Sequence, residues 1–436
     1  MHRVHSVLVR AWFALILAWT CAQPATAQSS SLDSYSPGDG LVVRNPTTGY
    51  RLQVRAYAQF MAESRHFDGV DEAYNRFRAR RMRMRIVGSS PSDKLRYRLQ
   101  FDFAQSLEGD DEVRGMLLDG WVAYRPSNRF ELSFGQRATP LDNLELQMAS
   151  SALQLTDRSR LTSAFSSIRD FGLFASGRLR AGAVGWFKVA GALTNGDGAN
   201  AFGVDHGGLK MGARVNWLPW GLFRSFGEFR EVDLAREVQP KLLIGSYGSV
   251  NRGMSSRRGR ESGAILYLDN FGNEALPDFT KWGVDVLFKF RGFTFLGEYV
   301  NTNCTVPIDQ ITQRVRNDGS VATTFAGGVD AYVRGRMILG SAWNAQAGYV
   351  FKNWWSIDAR VTRFSPDDAS FLNNVTFYNR NAYYEVGASK YFGRDFGYKI
   401  QASAIRTIPE LGSLTVASDV FEGNEWTFRV LTQMAF

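Results

Sequence analysis

Apolar and polar residues alternate with a period of two along most of the chain. In YRLQVRAYAQF, residues 50–60, every second residue is apolar or aromatic, and the residues between are arginine, glutamine or tyrosine. The alternation returns in KLRYRLQFDF at 94–103, in KWGVDVLFKFR at 281–291 and in WTFRVLTQMAF at 426–436. Because successive side chains of a β-strand point to opposite faces, this pattern predicts strands with one apolar and one polar face.

The alternation predicts sixteen strands. They are expected at 50–60, 77–88, 94–105, 117–125, 130–136, 168–178, 181–194, 209–217, 240–247, 281–291, 293–302, 341–352, 354–364, 382–392, 396–406 and 424–436. Short turns such as SSPSD and GRDFG follow the even strands, whereas long polar loops such as 61–76, 137–167, 248–280 and 303–340 follow the odd ones. The connection 218–239 is the exception, since it is long where a short turn is expected.

An even number of strands, with long loops at one rim and tight turns at the other, is typical of outer-membrane barrels. Backbone groups that face hydrocarbon must all be paired, and a closed barrel achieves this with strands. The sequence therefore predicts an all-β, transmembrane antiparallel barrel of sixteen strands with short periplasmic turns and long extracellular loops. A soluble two-sheet sandwich, which also alternates apolar and polar faces, is the alternative.

The N-terminus carries the features of an export signal. Basic residues precede the short apolar run AWFALILAW, and Ala25-Thr26-Ala27 supplies the small residues of a cleavage site near Ala27. We therefore expect a signal peptide at 1–27, a periplasmic segment at 28–48 and the barrel at 49–436. Loss of Cys21 with the signal would leave Cys304 alone, which excludes an intrachain disulfide.

Positive charge is concentrated in one part of the chain. Without the signal there are 49 basic against 42 acidic residues, and residues 76–100 alone hold nine basic residues and one acid, Asp93. In FRARRMRMRIVG, residues 77–88, arginines alternate with Met82, Met84 and Ile86. Charge facing lipid costs ~2–4 kcal/mol for Arg or Lys at the middle of the bilayer, so the arginines are expected in the lumen.

Guanidinium groups stay charged at any relevant pH and match phosphate or carboxylate oxygens. A row of such groups can attract an anion while sharing it among several weak positions. The predicted anion-binding, pore-lining residues are Arg51, Arg55, Arg81, Arg83, Arg85, Arg96 and Arg98. Alternatively, the arginines pair with lumen acids such as Asp102, Asp285, Glu298 and Asp358 and only stiffen the barrel.

Two long loops carry further arginines. Loop 137–167, with Arg137, Arg158 and Arg160, is the predicted constriction if it folds inward, and a position at the rim is the alternative. Loop 248–280 contains four arginines that could form an external anion funnel or bind lipopolysaccharide phosphates. They are Arg252, Arg257, Arg258 and Arg260.

Other functional classes have little support. His66 and His206 are the histidines beyond the signal, so neither a His/Cys metal cluster nor a Cys-His pair is expected, and no cofactor is predicted. A hydrolase would need a Ser or Asp beside a His near one rim. A nucleic-acid partner is incompatible with export and with the apolar face of the basic strand.

Several segments resemble the phosphate-selective porin O and P family. They are FRARRMRMRIVGSSPSDKLRYRLQFDFAQ, GWVAYRPSNRFELSFGQRATP with its Gly135-Gln136 pair, TNGDG at 194–198, RGFTFLGEYV, AQAGYVFKNWWSIDARVTRFSPD, and Gln433 with Phe436. The resemblance implies a homotrimeric outer-membrane porin of a Gram-negative-type bacterium, with passive diffusion of small anions, preferably phosphate or polyphosphate. A general, weakly selective porin and an outer-membrane enzyme or adhesin are the alternatives.

One position departs from that family. After the Gly-Gln pair the family usually carries an aromatic residue and then a lysine, whereas this chain has Arg137 and Ala138. A positive charge moved by one residue along a strand would face the other side.

Overall fold

The structure is a computed structural model that describes residues 32–36, 39–69, 71–104, 116–203, 206–316, 318–373, 380–393, 396–409, 414–416, 419–421 and 424–436. The predicted signal peptide at 1–27 and Cys21 lie outside these ranges. Within them, no helix is both long enough and apolar enough to cross a membrane.

Sixteen antiparallel strands form a closed barrel, as predicted. Every predicted strand coincides with an observed one, and most boundaries agree within a few residues. The strands are β1 Arg51–Phe67, β2 Tyr74–Ser89, β3 Leu95–Asp102, β4 Leu117–Ser127, β5 Phe130–Ala138, β6 Arg169–Arg180, β7 Trp186–Thr194, β8 Lys210–Leu218, β9 Lys241–Asn251, β10 Asp278–Phe290, β11 Phe293–Thr305, β12 Gly340–Val350, β13 Trp355–Pro366, β14 Arg380–Tyr391, β15 Tyr398–Pro409 and β16 Glu425–Ala435.

The first strand is longer than predicted. β1 continues to Phe67, so the long loop expected at 61–76 is wrong and the connection spans only 68–73. The alternation in fact persists in this stretch, with Glu63 and Arg65 inward and Ala62 and Ser64 outward. Because the outward residues Ala62 and Ser64 are small, the apolar–polar alternation is weak in this stretch although the strand continues.

The barrel closes between its first and last strands. β16 pairs with β1 from Tyr57 to Phe67, and the backbones of Ala56 and Phe436 exchange two hydrogen bonds of 2.7 and 2.8 Å. Below this point a strand at Gly40–Arg44, itself paired with Leu32–Ser36, takes over the edge of β1 at residues 51–54. The two strands Leu32–Ser36 and Gly40–Arg44 thus extend the barrel sheet.

The two faces of the wall differ as the alternation predicts. On β1, Phe60 points outward and is 50 % exposed, whereas Gln59 points inward and is 1 % exposed. A β-bulge in β2 changes this parity, since Gln59 lies opposite Arg81 and Phe60 opposite Ala79, leaving Arg80 as the extra residue. Both Arg80 and Arg81 therefore reach the interior.

Most long connections gather at one rim, the loop rim, and most short ones at the other, the turn rim. The exceptions are the short connection 68–73 at the loop rim and the connection 219–240, called here the strap, which is long although it lies at the turn rim. The loops 252–277 and 306–339 pack together on the loop rim through a small sheet of Leu266–Leu268, Gln313–Val315 and Val321–Ala322. Short helices lie in the loops: α1 Leu144–Gln147, α2 Arg160–Phe165, α3 Val329–Arg334, and 3-10 turns at Ser150–Ala152, Gly182–Val184, Arg224–Phe229 and Phe371–Asn373. A further short hairpin pairs Leu414–Val416 with Asp419–Phe421.

Candidate functional site in the barrel lumen

The connection 139–168, called here the inserted loop, lies inside the barrel. Its backbone and side chains bind inward-facing residues from opposite parts of the wall. Glu145 N donates to Glu298 on β11 at 2.8 Å, and Gln401 on β15 donates to the Leu153 carbonyl at 3.0 Å. On the other wall, Ser150 Oγ lies 2.8 Å from the hydroxyl of Tyr57 on β1. The inserted loop therefore crosses the waist of the lumen.

Buried carboxylates hold the inserted loop in place. Asp157 accepts hydrogen bonds from Arg80 at 2.9 Å and from Arg81 at 3.0 Å, and Arg429 lies 3.5 Å away. Burial alone would raise the pKa of Asp157, but the charges of these three guanidiniums outweigh it and hold the pKa well below its ordinary range. The three guanidiniums therefore favour the ionised form of Asp157.

A second anchor involves Glu145 of α1. Its carboxylate accepts the N–H of Ser159 at 2.8 Å and the Ser159 hydroxyl at 2.6 Å, and it lies 3.3 Å from Arg360 on β13. Ser159 in turn caps α2 by accepting from the Thr162 N–H. The loop thus has an internal framework as well as bonds to the wall.

The seven arginines predicted to line the pore all lie on the inward face of β1, β2 and β3, and most of them have acidic partners. Arg83 donates to Asp102 at 2.8 Å and to Ser150 at 2.9 Å, and it is buried against the inserted loop. The remaining pairs are Arg81 with Asp157, Arg55 with Asp39, Arg96 with Asp93, and Arg98 with Asp119 at 3.7 Å. Arg51 donates to Gln53 at 3.5 Å.

These acids come mostly from other parts of the sequence. Of the four lumen acids predicted as alternative partners, Asp102 pairs with Arg83, one of the seven, whereas Asp285 binds Arg214 of β8. Glu298 instead accepts from Asn143 at 2.9 Å, and Asp358 accepts from Ser356 at 2.7 Å. The excess of positive charge in residues 76–100 is therefore partly neutralised in the folded barrel by acids that lie elsewhere in the sequence.

Arg85 is an exception among the seven. Arg85 lies directly opposite Arg55 on β1 and directly opposite Gln100 on β3. Arg98, two residues from Gln100 on the same face of β3, is therefore its diagonal neighbour. No hydrogen bond or ion pair to Arg85 occurs among the described residues, and its buried Nε has no partner there. Like charges directly opposite each other destabilise a sheet, so this row of guanidiniums carries a cost that an anion would relieve.

A cavity of about 330 Å³ lies on the loop-rim side of the inserted loop. Its lining contains eight arginines and one carboxylate, that of Asp157. The arginines are Arg65, Arg76, Arg78, Arg80, Arg81, Arg158, Arg160 and Arg429. An adjoining cavity of about 210 Å³ shares Arg65, Arg158, Arg160 and Arg429 and adds Arg360 and Arg380, together with Glu385 and Glu425.

Several of these residues were not predicted from the sequence. Arg76, Arg78 and Arg80 share one parity and Arg81, Arg83 and Arg85 the other, which is the signature of a one-residue bulge. That change of parity could have been found in FRARRMRMR. Arg65 lay in the stretch 61–76 that was expected to be a loop. Arg429 lay in a predicted strand, where nothing in the sequence distinguished it from other inward residues.

Arg137 occupies a strand, so its prediction as part of a constriction loop is wrong. β5 continues to Ala138 because its backbone still pairs with Arg169 of β6, and the loop begins at 139. Arg137 faces inward, with Glu131 at 3.7 Å and the ring of Trp121 at 5.1 Å. It lines a turn-side cavity of about 300 Å³ with five other cations, namely Arg125, Arg129, Arg178, Lys188 and Arg214.

The preceding Gly-Gln pair has a structural role. Gly135 has φ +126°, and a Cβ there would lie 2.3 Å from the Gly120 carbonyl oxygen, so only glycine fits. Gln136 donates to the Leu118 carbonyl at 2.9 Å and accepts from the Asn200 N–H at 2.6 Å. The pair fixes the loop-rim ends of β4 and β5.

The arginines of loop 248–280 do not form an external funnel. Arg258 and Arg260 are buried and donate to carbonyl groups of the inserted loop, including those of Ser163 and Ser166. Arg257 stacks on Phe371 at 3.7 Å, and Arg252 pairs with Asp278. The carbonyls at the end of α2 needed donors, and these arginines supply them.

Residues 49–176 match the family model of phosphate-selective porin O and P. The resemblance read from the sequence is confirmed over this part of the chain. The porin match includes β1 to β5, the inserted loop and all ten arginines predicted for the site. No curated protein matches the sequence at a significant level.

Solved structures show the same porin fold at low sequence identity. The anion-selective porin from Comamonas acidovorans aligns with a TM-score of 0.52 and 10 % identity, over 89 % of this chain and 100 % of that chain. The outer membrane channel DcaP of Acinetobacter baumannii aligns with a TM-score of 0.50 and 9 % identity, over 90 % and 99 %. OprB of Pseudomonas putida aligns with a TM-score of 0.50 and 12 % identity, over 89 % and 94 %.

Proposed function

We propose that the protein is an outer-membrane porin that passes small anions by passive diffusion, with phosphate or polyphosphate as the preferred solute. The observation that carries this proposal is the loop-side cavity, which eight arginines line inside a closed barrel. Among the described residues, the carboxylates that pair with these arginines are those of Asp157, Glu63 and Glu425, so a net positive charge remains. Fixed positive charge in a low-dielectric channel raises the local concentration of anions and excludes cations. The match of residues 49–176 to phosphate-selective porins supports the same solute class.

The geometry of the cavity favours oxyanions over halides. Guanidinium groups offer planar pairs of N–H donors, and such pairs match two oxygens of one phosphate or carboxylate group. Arg158 and Arg160 project from the inserted loop toward Arg65 of β1 and Arg429 of β16. An anion in this cavity can therefore pass from one guanidinium to the next, so binding stays weak enough for release.

The proposal is tested with single channels of the purified protein in a planar bilayer under a KCl gradient. We expect the sign of the reversal potential to show that chloride permeates more readily than potassium. Added inorganic phosphate should reduce the chloride current. Arg160→Gln should shift the reversal potential toward zero and weaken the phosphate block several-fold. A reversal potential near zero without block would leave a general, weakly selective porin.

The chain offers a matched control for the loss of one charge. Arg180 ends β6 at the turn rim and is exposed, and it lines neither the two loop-side cavities nor the turn-side cavity. Arg180→Gln should leave both the reversal potential and the phosphate block close to those of the wild type. An equal effect of the two variants would show that net charge, and not the cavity, decides selectivity.

The enzyme alternative receives little support from the positions of the two histidines. His66 lies 3.1 Å from Ser64 Oγ, but both residues are on the outward face of β1, where His66 packs against Phe428. His206 pairs with Glu274 in the loop-rim connections at 2.5 Å. Neither arrangement places a serine nucleophile beside a histidine within the lumen.

We also propose a homotrimer, on the basis of the family resemblance. A shallow groove on the outer wall between β13 and β2 is lined by small residues, including Ala62, Gly387, Ala388, Ala402 and Ala404. Small side chains would let a neighbouring wall approach closely. The mass of the detergent-solubilised particle, measured by light scattering with the detergent contribution subtracted, should correspond to three chains.

A further inference from the structure

The smaller of the two loop-side cavities, with a volume of about 210 Å³, differs from its neighbour in the chemistry of its lining. It is called here the mixed cavity. The larger cavity is lined mainly by arginines, whereas the mixed cavity also has carboxylate, hydroxyl, aromatic and aliphatic side chains. An inorganic anion needs cationic partners only, so the other groups of the mixed cavity call for a different ligand.

The wall of the mixed cavity is built from neighbouring strands in direct register. Glu385 of β14 lies directly opposite Arg360 of β13 on one side and Ile405 of β15 on the other. Tyr383, the next inward residue of β14, lies directly opposite Thr407 of β15. Because paired strands hold these side chains, the order of charged, hydroxyl and apolar groups along the wall is fixed by the barrel itself.

The inserted loop completes the mixed cavity and joins it to the larger one. Arg160 of the loop lies over the ring of Tyr383, with its guanidinium 5.5 Å from the ring centre. Four guanidiniums line both cavities, those of Arg65, Arg158, Arg160 and Arg429. A phosphate group bound by these shared arginines would therefore lie beside the mixed cavity, and any chain attached to that phosphate could enter it.

Glu385 contributes a buried oxygen that lacks a donor. Its side chain is only 4 % exposed and lines the mixed cavity. Oε2 pairs with Arg360, but Oε1 has no hydrogen-bond partner among the described residues. Nearly all buried polar atoms in folded proteins have a partner, so this oxygen is an unusual feature. An ionised carboxylate can only accept, and the group that would satisfy Oε1 is therefore a donor such as a hydroxyl.

The apolar side chains of the mixed cavity suit a short carbon chain. Phe67, Tyr383 and Ile405 line it together with the hydroxyl-bearing Thr407. Removing apolar surface from water is favourable, whereas an inorganic phosphate or polyphosphate has no carbon surface to bury. Apolar walls with a few placed polar groups are typical of sites for small organic molecules.

We propose that the two loop-side cavities together bind a small phosphate monoester that carries hydroxyl groups. The four shared guanidiniums bind its phosphate group, and the apolar side chains of the mixed cavity contact its carbon chain. One hydroxyl donates a hydrogen bond to Oε1 of Glu385. This inference rests on the proposed anion-porin function and names a class of solute for it, with Glu385 as a specificity-determining residue.

The test compares three blockers of the chloride current through single channels of the full-length protein in planar bilayers. They are inorganic phosphate, propyl phosphate and glycerol 3-phosphate. The two esters share a phosphate group and a three-carbon chain and differ in their hydroxyls. Glycerol 3-phosphate should block the wild type at about tenfold lower concentration than propyl phosphate, as expected for one hydrogen bond to a charged group.

Glu385→Gln should reduce the preference for glycerol 3-phosphate to about twofold, because a neutral amide oxygen accepts a weaker hydrogen bond than a carboxylate. The loss of a negative charge changes the block by both esters alike, so the ratio of the two reports the hydroxyl contact. Glu131→Gln is the matched control, since it makes the same change at an inward carboxylate of the turn-side cavity. It should keep the tenfold preference.

Equal block by the two esters in the wild type would overturn the proposal, and this result requires no variant to fold. If inorganic phosphate still blocks in that case, the proposed function stands. If none of the three anions blocks and the reversal potential is near zero, the proposed function itself fails. A full preference that persists in Glu385→Gln would overturn the role given to Glu385.

Discussion

At the scale of the residue, Asp157 pairs with more cations than any other acid of the inserted loop. Arg80, Arg81 and Arg429 all approach its carboxylate within 3.5 Å. We predict that Asp157→Asn loosens the loop, because removing one partner of a buried ion pair typically costs ~3–5 kcal/mol. Limited proteolysis with trypsin, which cuts after Arg158 and Arg160, should become at least about tenfold faster in detergent solution.

Asp318→Asn is the control for that variant, since Asp318 is exposed on a distant loop. Its trypsin cleavage at the inserted loop should match the wild type. Cleavage of Asp157→Asn at the wild-type rate would mean that the other contacts of the loop suffice to hold it. The lowered pKa of Asp157 also predicts that the loop stays attached as pH falls to 4, because the stability that a lowered pKa provides is present above the ordinary pKa of ~3.9 and is lost progressively below it.

The inward direction of the arginines followed from period two alone, but their partners did not. Alternation determines which face a residue occupies, so Arg83 was expected inside the barrel. Which acid it meets depends on strand register and on the inserted loop, since Asp102 lies opposite it on β3 and Ser150 arrives from the loop. No local pattern encodes a contact between residues 67 positions apart.

At the scale of the element, the strands were predictable, but the positions of the inserted loop and of the strap, the connection 219–240, were not. Each strand shows its own alternation, because one face meets lipid and the other the lumen. The inserted loop and the strap have no such period, and distant contacts decide their positions, such as that of Gln154 with Gln346 of β12. The sequence did indicate that the strap is unusual, because this connection is long where a short turn is expected.

The contact between strap and inserted loop is predicted to depend on pH. Burial, followed by the neighbouring charge of Glu145, raises the pKa of Glu231 to about 7. Between its ordinary value of ~4.3 and 7, the folded carboxyl keeps a proton that the detached one releases, so attachment weakens as pH rises through this window and is constant above it. The charge of Arg360 opposes the shift without reversing it.

Hydrogen exchange measures this attachment directly. The amides of Gln154 and Glu231, whose bonds join the two segments, should be better protected at pH 5 than at pH 8 after correction for intrinsic rates. Glu231→Gln should remove the difference, because an amide has no proton to lose. Glu72→Gln, at an exposed position, should preserve it. Equal protection at both pH values in the wild type would contradict the raised pKa.

At the scale of the whole molecule, the lumen is a positively charged passage divided by the inserted loop. The loop-side cavity holds eight arginines, and the turn-side cavity holds six cations. Their combined field extends into the water of the lumen, where salt screens it. The Debye length falls from about 10 Å at 0.1 M to about 3 Å at 1 M ionic strength.

Two kinds of anion recognition should therefore respond differently to salt. Selectivity among monovalent ions relies on the field, so the reversal potential under a fixed tenfold KCl gradient should move toward zero as the mean concentration rises from about 0.1 M to about 1 M. Phosphate block relies on direct guanidinium contacts, which salt screens less where side chains are buried. After correction for chloride competition, the affinity of phosphate block should fall by a smaller fraction than the reversal potential does over the same range of salt. A reversal potential independent of salt would mean that steric exclusion rather than the arginine field selects the ion.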